Sequence, residues 1–249
     1  MNLENVIAVR ENKTIYRDGD KCIKVFNADC SKADVLNEAL NQARIEETGL
    51  NIPKLLGITM IDGRWAVVSE YIEGKSLAKL MEEEPEKKEE YINLFVNLQM
   101  SIHSKTCMLL NKLKDKLILK IADTELDATT RYDLYTRLEG MPKHNKVCHG
   151  DFNPSNVIIS ESGTPYIIDW SHATKGNASA DVALTYILFC LSGDTSGAER
   201  YMDAFCRKSH TARQYISKWL PIVAAARSAT ENENEAEILS GFVSAVDYQ

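Results

Sequence analysis

The sequence is short of positive charge and has no long apolar run. Its 249 residues include 29 Lys and Arg against 36 Asp and Glu, for a net charge of -7. Nucleic-acid binding depends on a basic face that releases counterions, so we expect no nucleic-acid partner. A membrane span needs about 18 consecutive apolar residues, and no segment approaches this. We therefore expect no membrane partner. The fraction of hydrophobic residues, 44%, is enough to form a substantial core.

Paired cysteines and a secretory leader are also lacking. The six cysteines are scattered and form no C-x-x-C pair, which argues against a zinc site or a redox dithiol. The opening MNLENVIAVREN carries acid early and has neither the basic start nor the apolar stretch of a secretory signal. These features predict reduced thiols and a cytoplasmic location. They do not predict an oligomeric state.

The common phosphate loops are missing as well. The segment VRENKTIYRDGDKC contains no G-x-G-x-x-G and no G-x-x-x-x-G-K-S/T. Elsewhere in this first part of the chain, the runs NVIAV, KTIYR, DKCIKVF, LLGITMID and RWAVVSEYI are typical of short strands. They surround one segment of helical character, so the pattern indicates a small sheet with a single helix.

The helix is indicated by spacing and by its end signals. Ser31 is a suitable N-cap and Gly49 a suitable stop. The apolar residues at helical spacing are Val35, Leu36, Ala39, Leu40 and Ala43. After Tyr71 the segment IEGKSL is typical of a connector, and the remainder is mainly helical. We therefore predict two domains, residues 1–72 and residues 73–249.

Polar side chains flank two short apolar strands in KVCHGDFNPSNVIIS and GTPYIIDWSHA. VIIS and YIID bracket a turn at residues 161–164, which predicts a hairpin. Asp151, Asn156 and Asp169 would then meet at one edge of it. Phosphoryl transfer needs a group that orients the attacking hydroxyl and hard oxygen ligands for Mg²⁺. Asn156 and Asp169 suit the metal, which leaves Asp151 as the base.

His149-Gly150-Asp151-x-x-x-x-Asn156 followed by Ile168-Asp169 resembles the H-G-D-x-x-x-x-N and I-D signature of the aminoglycoside phosphotransferase and choline kinase-like family. The resemblance implies an α+β, bilobal protein-kinase-like fold, with a small β-sheet N-lobe carrying one helix and a larger, mainly helical C-lobe. It also implies that Asp151 is the catalytic residue and that Asn156 and Asp169 bind Mg²⁺. His149 is interpreted as a structural residue of the loop.

The same resemblance assigns nucleotide-binding residues to the first lobe. Lys24 and Glu38 resemble the family's lysine and helix glutamate, which position the nucleotide phosphates. Two alternatives stay open: Lys24 is an exposed strand lysine, or Glu38 is a solvated helix residue like Glu46 and Glu47. The connector would bind adenine through the carbonyl of Glu70 and the amide of Ile72. With no glycine-rich loop, residues 12–14 could offer backbone N–H groups and a hydroxyl.

Farther along the chain, Asp181 matches a family aspartate that opens a core helix and braces the catalytic loop. The alternative is a carboxylate favoured by the helix dipole, and His103 is interpreted as a packed histidine. Acids and aromatics of the last helices could bind an amine, against the alternative of solvated acids and core aromatics. They are Glu199, Asp203, Glu231, Glu233, Glu235, Glu237, Tyr201, Phe205, Tyr215 and Trp219.

These residues predict a kinase that transfers the γ-phosphoryl group of ATP to the hydroxyl of a small molecule. GTP stays open as the donor, and the acceptor is an aminoglycoside, a choline-like amino alcohol, a sugar or a related metabolite. One alternative is a nucleotide-binding regulatory protein with a kinase fold and no phosphotransfer. Another is a protein kinase, but the D-F-G motif is replaced after Asp169 by Trp170-Ser171, and few residues precede Asp181 for an activation loop.

Overall fold

The computed structural model of the protein describes residues 3–229 and 233–244. The strands are β1 (Val6–Val9), β2 (Lys13–Asp18), β3 (Lys21–Phe26), β4 (Leu55–Ile61), β5 (Arg64–Glu70), β6 (Gly74–Ser76), β7 (Lys146–Cys148), β8 (Val157–Ser160), β9 (Pro165–Ile167) and β10 (Thr174–Gly176). The helices are α1 (Lys32–Glu46), α2 (Leu77–Glu83), α3 (Lys88–His103), α4 (Leu113–Ala122), α5 (Ala128–Gly140), α6 (Ala178–Leu191), α7 (Thr195–Ser209), α8 (Arg213–Ser217), α9 (Leu220–Ser228) and α10 (Glu233–Ser244).

The chain forms two compact units. The first combines Met1–Glu83 with Pro154–His172, and the second combines Glu84–Asn153 with Ala173–Gln249. Compactness does not by itself show which segments fold independently. The predicted domains, residues 1–72 and 73–249, therefore stay a prediction.

The first unit contains an antiparallel sheet with the strand order β1-β2-β3-β5-β4. Side chains alternate along β3, so Ile23 and Val25 pack on one face with residues of β5. Phe26 lies on the other face, against Val35 and Ala39 of α1. Alternation therefore places Lys24 on the α1 face of the sheet, where a charged residue needs a partner.

Helix α1 has the predicted start. Its N-cap is Ser31, whose hydroxyl accepts a hydrogen bond from the backbone N–H of Asp34 at 3.1 Å. The helix ends at Glu46, three residues before Gly49, which has a φ of 73°. The predicted helix is confirmed. Its buried residues Val35 and Ala39 pack against Phe26 and Val67 of the sheet.

The predicted hairpin is confirmed, and it has a third strand that the sequence did not indicate. β8 and β9 pair antiparallel, with Val157 opposite Ile167. The connector forms β6, which pairs with the other edge of β8. A Cβ at Gly74 would lie 2.1 Å from the carbonyl oxygen of Ile159, so only glycine allows this approach.

The second unit is mainly helical, and α3, α6, α7 and α9 carry much of its core. Phe95 of α3 stacks on Phe152 with ring centroids 4.2 Å apart. Between Cys107 and Met141 the chain forms α4 and α5. β7 pairs with β10 and leads directly into residues 149–153. Across residues 3–229 and 233–244, no helix combines the length and apolarity that crossing a membrane requires.

Candidate functional site

Lys24 lies in a buried cluster of opposite charges in the first unit. Its Nζ is 2.7 Å from Glu38 Oε1 and 3.0 Å from Asp169 Oδ1, and its side chain is 13% exposed. Burial lowers the pKa of Lys24, but the two carboxylates outweigh burial and hold it above its ordinary value. The predicted Lys24–Glu38 contact is confirmed, and the interpretation of Lys24 as an exposed strand lysine is wrong. The interpretation of Glu38 as a solvated residue is also wrong, because it is buried.

Lys13 is a member of this cluster that sequence reasoning missed. Its Nζ is 2.9 Å from Glu38 Oε2 and 3.6 Å from Asp169 Oδ1, with 7% of the side chain exposed. It also lies 5.4 Å from the ring centroid of Phe26. The available signal was its spacing from Ile15, which pairs with Lys24 across the sheet and so puts Lys13 on the same face. That pairing cannot be read from the sequence alone.

Asp169 has an unusual backbone. Its φ is 62°, in the left-handed region that non-glycine residues rarely adopt. The preceding Ile168 donates its N–H to the carbonyl of Asn156 at 2.9 Å, which links the end of the hairpin to the turn before β8. Strained residues cluster at functional sites, where surrounding contacts hold them. The strained turn keeps the Asp169 carboxylate beside Lys24.

A cavity of about 220 Å³ in the first unit collects most of the predicted site residues. Part of its lining is polar and comes from Lys24, Asn156 and Asp169. Glu70 and Ile72 also line it. The apolar lining is contributed by Ile7, Ala8, Ile15, Ile158 and Ile168. Cavities that bind small molecules typically combine such an apolar lining with a few polar groups. An amide and a carboxylate in one cavity are hard oxygen ligands that suit Mg²⁺.

The loop that carries Asp151 belongs to the second unit and is held by Asp181. The backbone N–H of Gly150 donates to Asp181 Oδ1 at 2.7 Å, and His103 Nε2 lies 2.9 Å from Oδ2. Burial raises the pKa of Asp181, but His103 and the Gly150 N–H outweigh burial and lower it below its ordinary value. The predicted contact of Asp181 with this loop is confirmed. Its position in the first turn of α6 agrees with the dipole interpretation as well.

His149 and His103 both have structural surroundings, as predicted. His149 is fully buried, and its Nδ1 accepts a hydrogen bond from the backbone N–H of Asp151 at 3.3 Å. His103 is buried against Asp181. Together with the Gly150–Asp181 hydrogen bond, these contacts hold the backbone on both sides of Gly150.

Lys116 of α4 lies in the electrostatic surroundings of Asp151. Burial and the neighbouring Lys120 lower the pKa of Lys116 from 10.5 to about 8, although Asp151 and Asp181 oppose this. Arg227 also interacts with the charge of Asp151, while its main partner is Glu235. The surroundings of Asp151 therefore contain two basic side chains, Lys116 and Arg227.

We expect Lys116→Met to stabilise the protein near pH 7 by about 1–3 kcal/mol. The pKa of Lys116 is lower in the folded chain, so between pH 8 and 10.5 the unfolded chain binds more protons and wild-type stability rises with pH. The gain should therefore be largest below pH 8 and should vanish above pH 10.5. Urea unfolding across this range measures it, with the exposed Lys143→Met as the control of equal charge change. A gain independent of pH would contradict the prediction.

Three of the acids named for the last helices, Glu199, Asp203 and Glu235, are paired with arginines. Arg213 contacts Glu199 at 2.7 Å and Asp203 at 3.1 Å, and Arg227 contacts Glu235 at 2.9 Å. Three of the aromatic side chains, Tyr201, Phe205 and Trp219, are buried, so for these the interpretation as core residues is confirmed. Glu231 lies outside the described residues. For Glu199, Asp203 and Glu235, the arginines are therefore the charged partners that the structure shows.

The sequence was compared with known protein families and solved structures. The profile of the family described as APH, phosphotransferase enzyme family, matches residues 6–216, which is more than half of the chain. The chain belongs to the phosphotransferase enzyme family. A comparison with curated protein sequences gave no match.

Solved structures of an aminoglycoside phosphotransferase and a choline kinase share the fold. Aminoglycoside phosphotransferase APH(4)-Ia is 18% identical, with a TM-score of 0.71, over 97% of this chain and 91% of that one. Choline kinase LicA from Streptococcus pneumoniae is 16% identical, with a TM-score of 0.68, over 98% and 92%. Another structure of an APH(4)-Ia mutant (19% identity, TM-score 0.70, 97% and 91%) is a ternary complex with AMP-PNP and hygromycin B. The predicted α+β, kinase-like fold is confirmed.

Proposed function

We propose that this phosphotransferase moves the γ-phosphoryl group of ATP to the hydroxyl of a small molecule. The observation that carries the proposal is the contact of Lys24 with Glu38 and Asp169, because Lys24 and Asp169 line one cavity with Asn156 and apolar side chains. A lysine held by two carboxylates in such a cavity is suited to bind phosphate oxygens. The family and the relatives solved with AMP-PNP or AMP support a nucleotide as the ligand.

Each predicted site residue has a role in this proposal. Asn156 and Asp169 hold Mg²⁺, Lys24 contacts the phosphates, and Glu38 orients Lys24. The backbone of Glu70 and Ile72 binds the adenine, with the apolar side chains of the cavity against its ring. When bound, Mg²⁺ offsets negative charge on the phosphate oxygens.

Asp151 is the proposed catalytic base. Its carboxylate accepts a hydrogen bond from the acceptor hydroxyl and directs that oxygen in line with the γ-phosphorus. The O–P bond to the acceptor forms as the bond between the γ-phosphorus and the β–γ bridging oxygen breaks, and Asp151 takes the hydroxyl proton. The brace between Gly150 and Asp181 holds the Asp151 backbone in place for this role.

A screen of acceptors tests the proposed function. ADP formation with Mg²⁺ and ATP or GTP is measured against aminoglycosides, amino alcohols, sugars and a protein substrate, with ³¹P NMR to detect a phosphate ester. We expect one small-molecule class to give a stoichiometric ester. Nucleotide binding with no ester formation would favour the regulatory alternative, and transfer to the protein substrate alone would favour a protein kinase. Either result would contradict the proposal.

A further inference from the structure

Lys13 directly follows the first turn of the first unit. The chain passes from β1 (Val6–Val9) through residues 10–12 into β2, and Lys13 is the first residue of β2. This turn contains no glycine, so it has no glycine-rich loop to wrap phosphates. Instead, the strand directs an ammonium group to the carboxylates of Glu38 and Asp169.

The cluster contains more charged groups than are needed to hold Lys24 in position. Glu38 alone would orient Lys24, because it accepts from the Lys24 ammonium at 2.7 Å. Lys13 adds a second ammonium that is 7% exposed, and burial of a charge is unfavourable unless it is paired. When the Asp169 carboxylate binds a cation, the two lysines face one glutamate, which leaves one net positive charge. This excess charge suits a polyphosphate.

The distances put Lys13 within reach of such a ligand. Its Nζ is 3.6 Å from Asp169 Oδ1. The Lys13 ammonium is therefore close enough to this carboxylate to contact an anion bound beside it.

We propose that Lys13 is a second phosphate-binding residue, which contacts the β- and γ-phosphate oxygens of the nucleotide in place of a glycine-rich loop. The inference rests on the proposed function, because it requires a nucleotide in the first-unit cavity. If Lys13 were purely structural, it would stabilise α1 through Glu38. Its removal would then change the affinity for all ligands by the same factor, whatever their number of phosphates. Dependence of binding on the number of phosphates separates the two roles.

Isothermal titration with adenosine, AMP, ADP and AMP-PNP, each with Mg²⁺, tests the inference. In Lys13→Met, we expect ADP and AMP-PNP to bind about tenfold more weakly or worse, as for a lost hydrogen bond to a charged group. Adenosine should bind as in the wild type, because it has no phosphate. The matched control is Lys21→Met, which removes an exposed lysine of β3 with the same charge change.

The outcomes are distinguishable. Suppose that the wild type binds ADP more tightly than AMP. If Lys13→Met keeps this gain, or if it loses as much affinity for adenosine as for ADP, the phosphate-binding role of Lys13 is overturned. The proposed function would then still stand. If the wild type gains nothing from the added phosphates, both are overturned. Glu38 keeps Lys24 as a partner in the variant, which favours folding.

The wild-type protein supplies a second measurement that does not need a folded Lys13→Met variant. The side-chain NMR signal of Lys13 is assigned by its absence in Lys13→Arg. We expect Mg²⁺-ADP to shift this signal and adenosine to leave it unchanged. An unchanged signal at saturating Mg²⁺-ADP would overturn the inference.

Discussion

Asp151→Asn is expected to lower turnover by about 10²–10⁴-fold, the range typical of a lost general base. Asparagine keeps the size of the side chain but cannot take the hydroxyl proton. Because the proposed nucleotide-binding residues Lys24, Asn156 and Asp169 are unchanged, AMP-PNP affinity should stay within about threefold. Coupled ADP release with the acceptor found by the screen measures turnover, and titration calorimetry measures affinity.

The control for Asp151→Asn is Asp123→Asn, an exposed aspartate of the same unit that makes an identical charge change. It should retain wild-type turnover. Turnover of Asp151→Asn near the wild-type value would reject Asp151 as the base. A large loss of AMP-PNP affinity together with turnover would instead assign Asp151 to nucleotide binding.

Asp181→Ala is expected to lower the free energy of unfolding by about 3–5 kcal/mol, because buried partners are left without their carboxylate. Those partners are the backbone N–H of Gly150, at 2.7 Å, and the ring of His103, at 2.9 Å. Turnover should fall as well, since the Gly150 contact holds the residue next to Asp151. Urea unfolding measures the loss of stability.

The effect of Asp181→Ala should depend on pH in a defined direction. The pKa of Asp181 is lower in the folded chain than its ordinary value of 3.8, so its contribution is present above pH 3.8 and is lost as pH falls through the lowered pKa. Asp203→Ala is the control, because Asp203 is exposed and paired with Arg213, and should cost less than about 1 kcal/mol. Equal losses in the two variants would contradict the bracing role.

The elements that the sequence predicted correctly depend on short segments. Ser31 and the apolar spacing after it predicted α1. The short apolar segments VIIS and YIID, with the turn at residues 161–164 between them, predicted the hairpin of β8 and β9. The contact of Lys24 with Glu38 was predicted because the motif resemblance added long-range information. Local patterns and a family signature were sufficient for these features.

The features that sequence reasoning missed depend on pairing between distant segments. Lys13 and Glu38 are 25 residues apart, and only the register of β2 against β3 puts Lys13 on the α1 face. Likewise, β6 exists because Gly74 pairs with Ser160, far along the chain. Lysine is common in polar turns and glycine is common in connectors. The sequence around Lys13 or Gly74 therefore does not indicate which distant residue each one contacts.

A crystal structure of the protein with Mg²⁺ and AMP-PNP tests the central claim most directly. We predict that the nucleotide occupies the first-unit cavity, with the metal on Asn156 and Asp169 and the ammonium of Lys24 on the phosphates. The adenine should contact the backbone of Glu70 and Ile72. A nucleotide bound outside this cavity, or a metal held by neither Asn156 nor Asp169, would contradict the account.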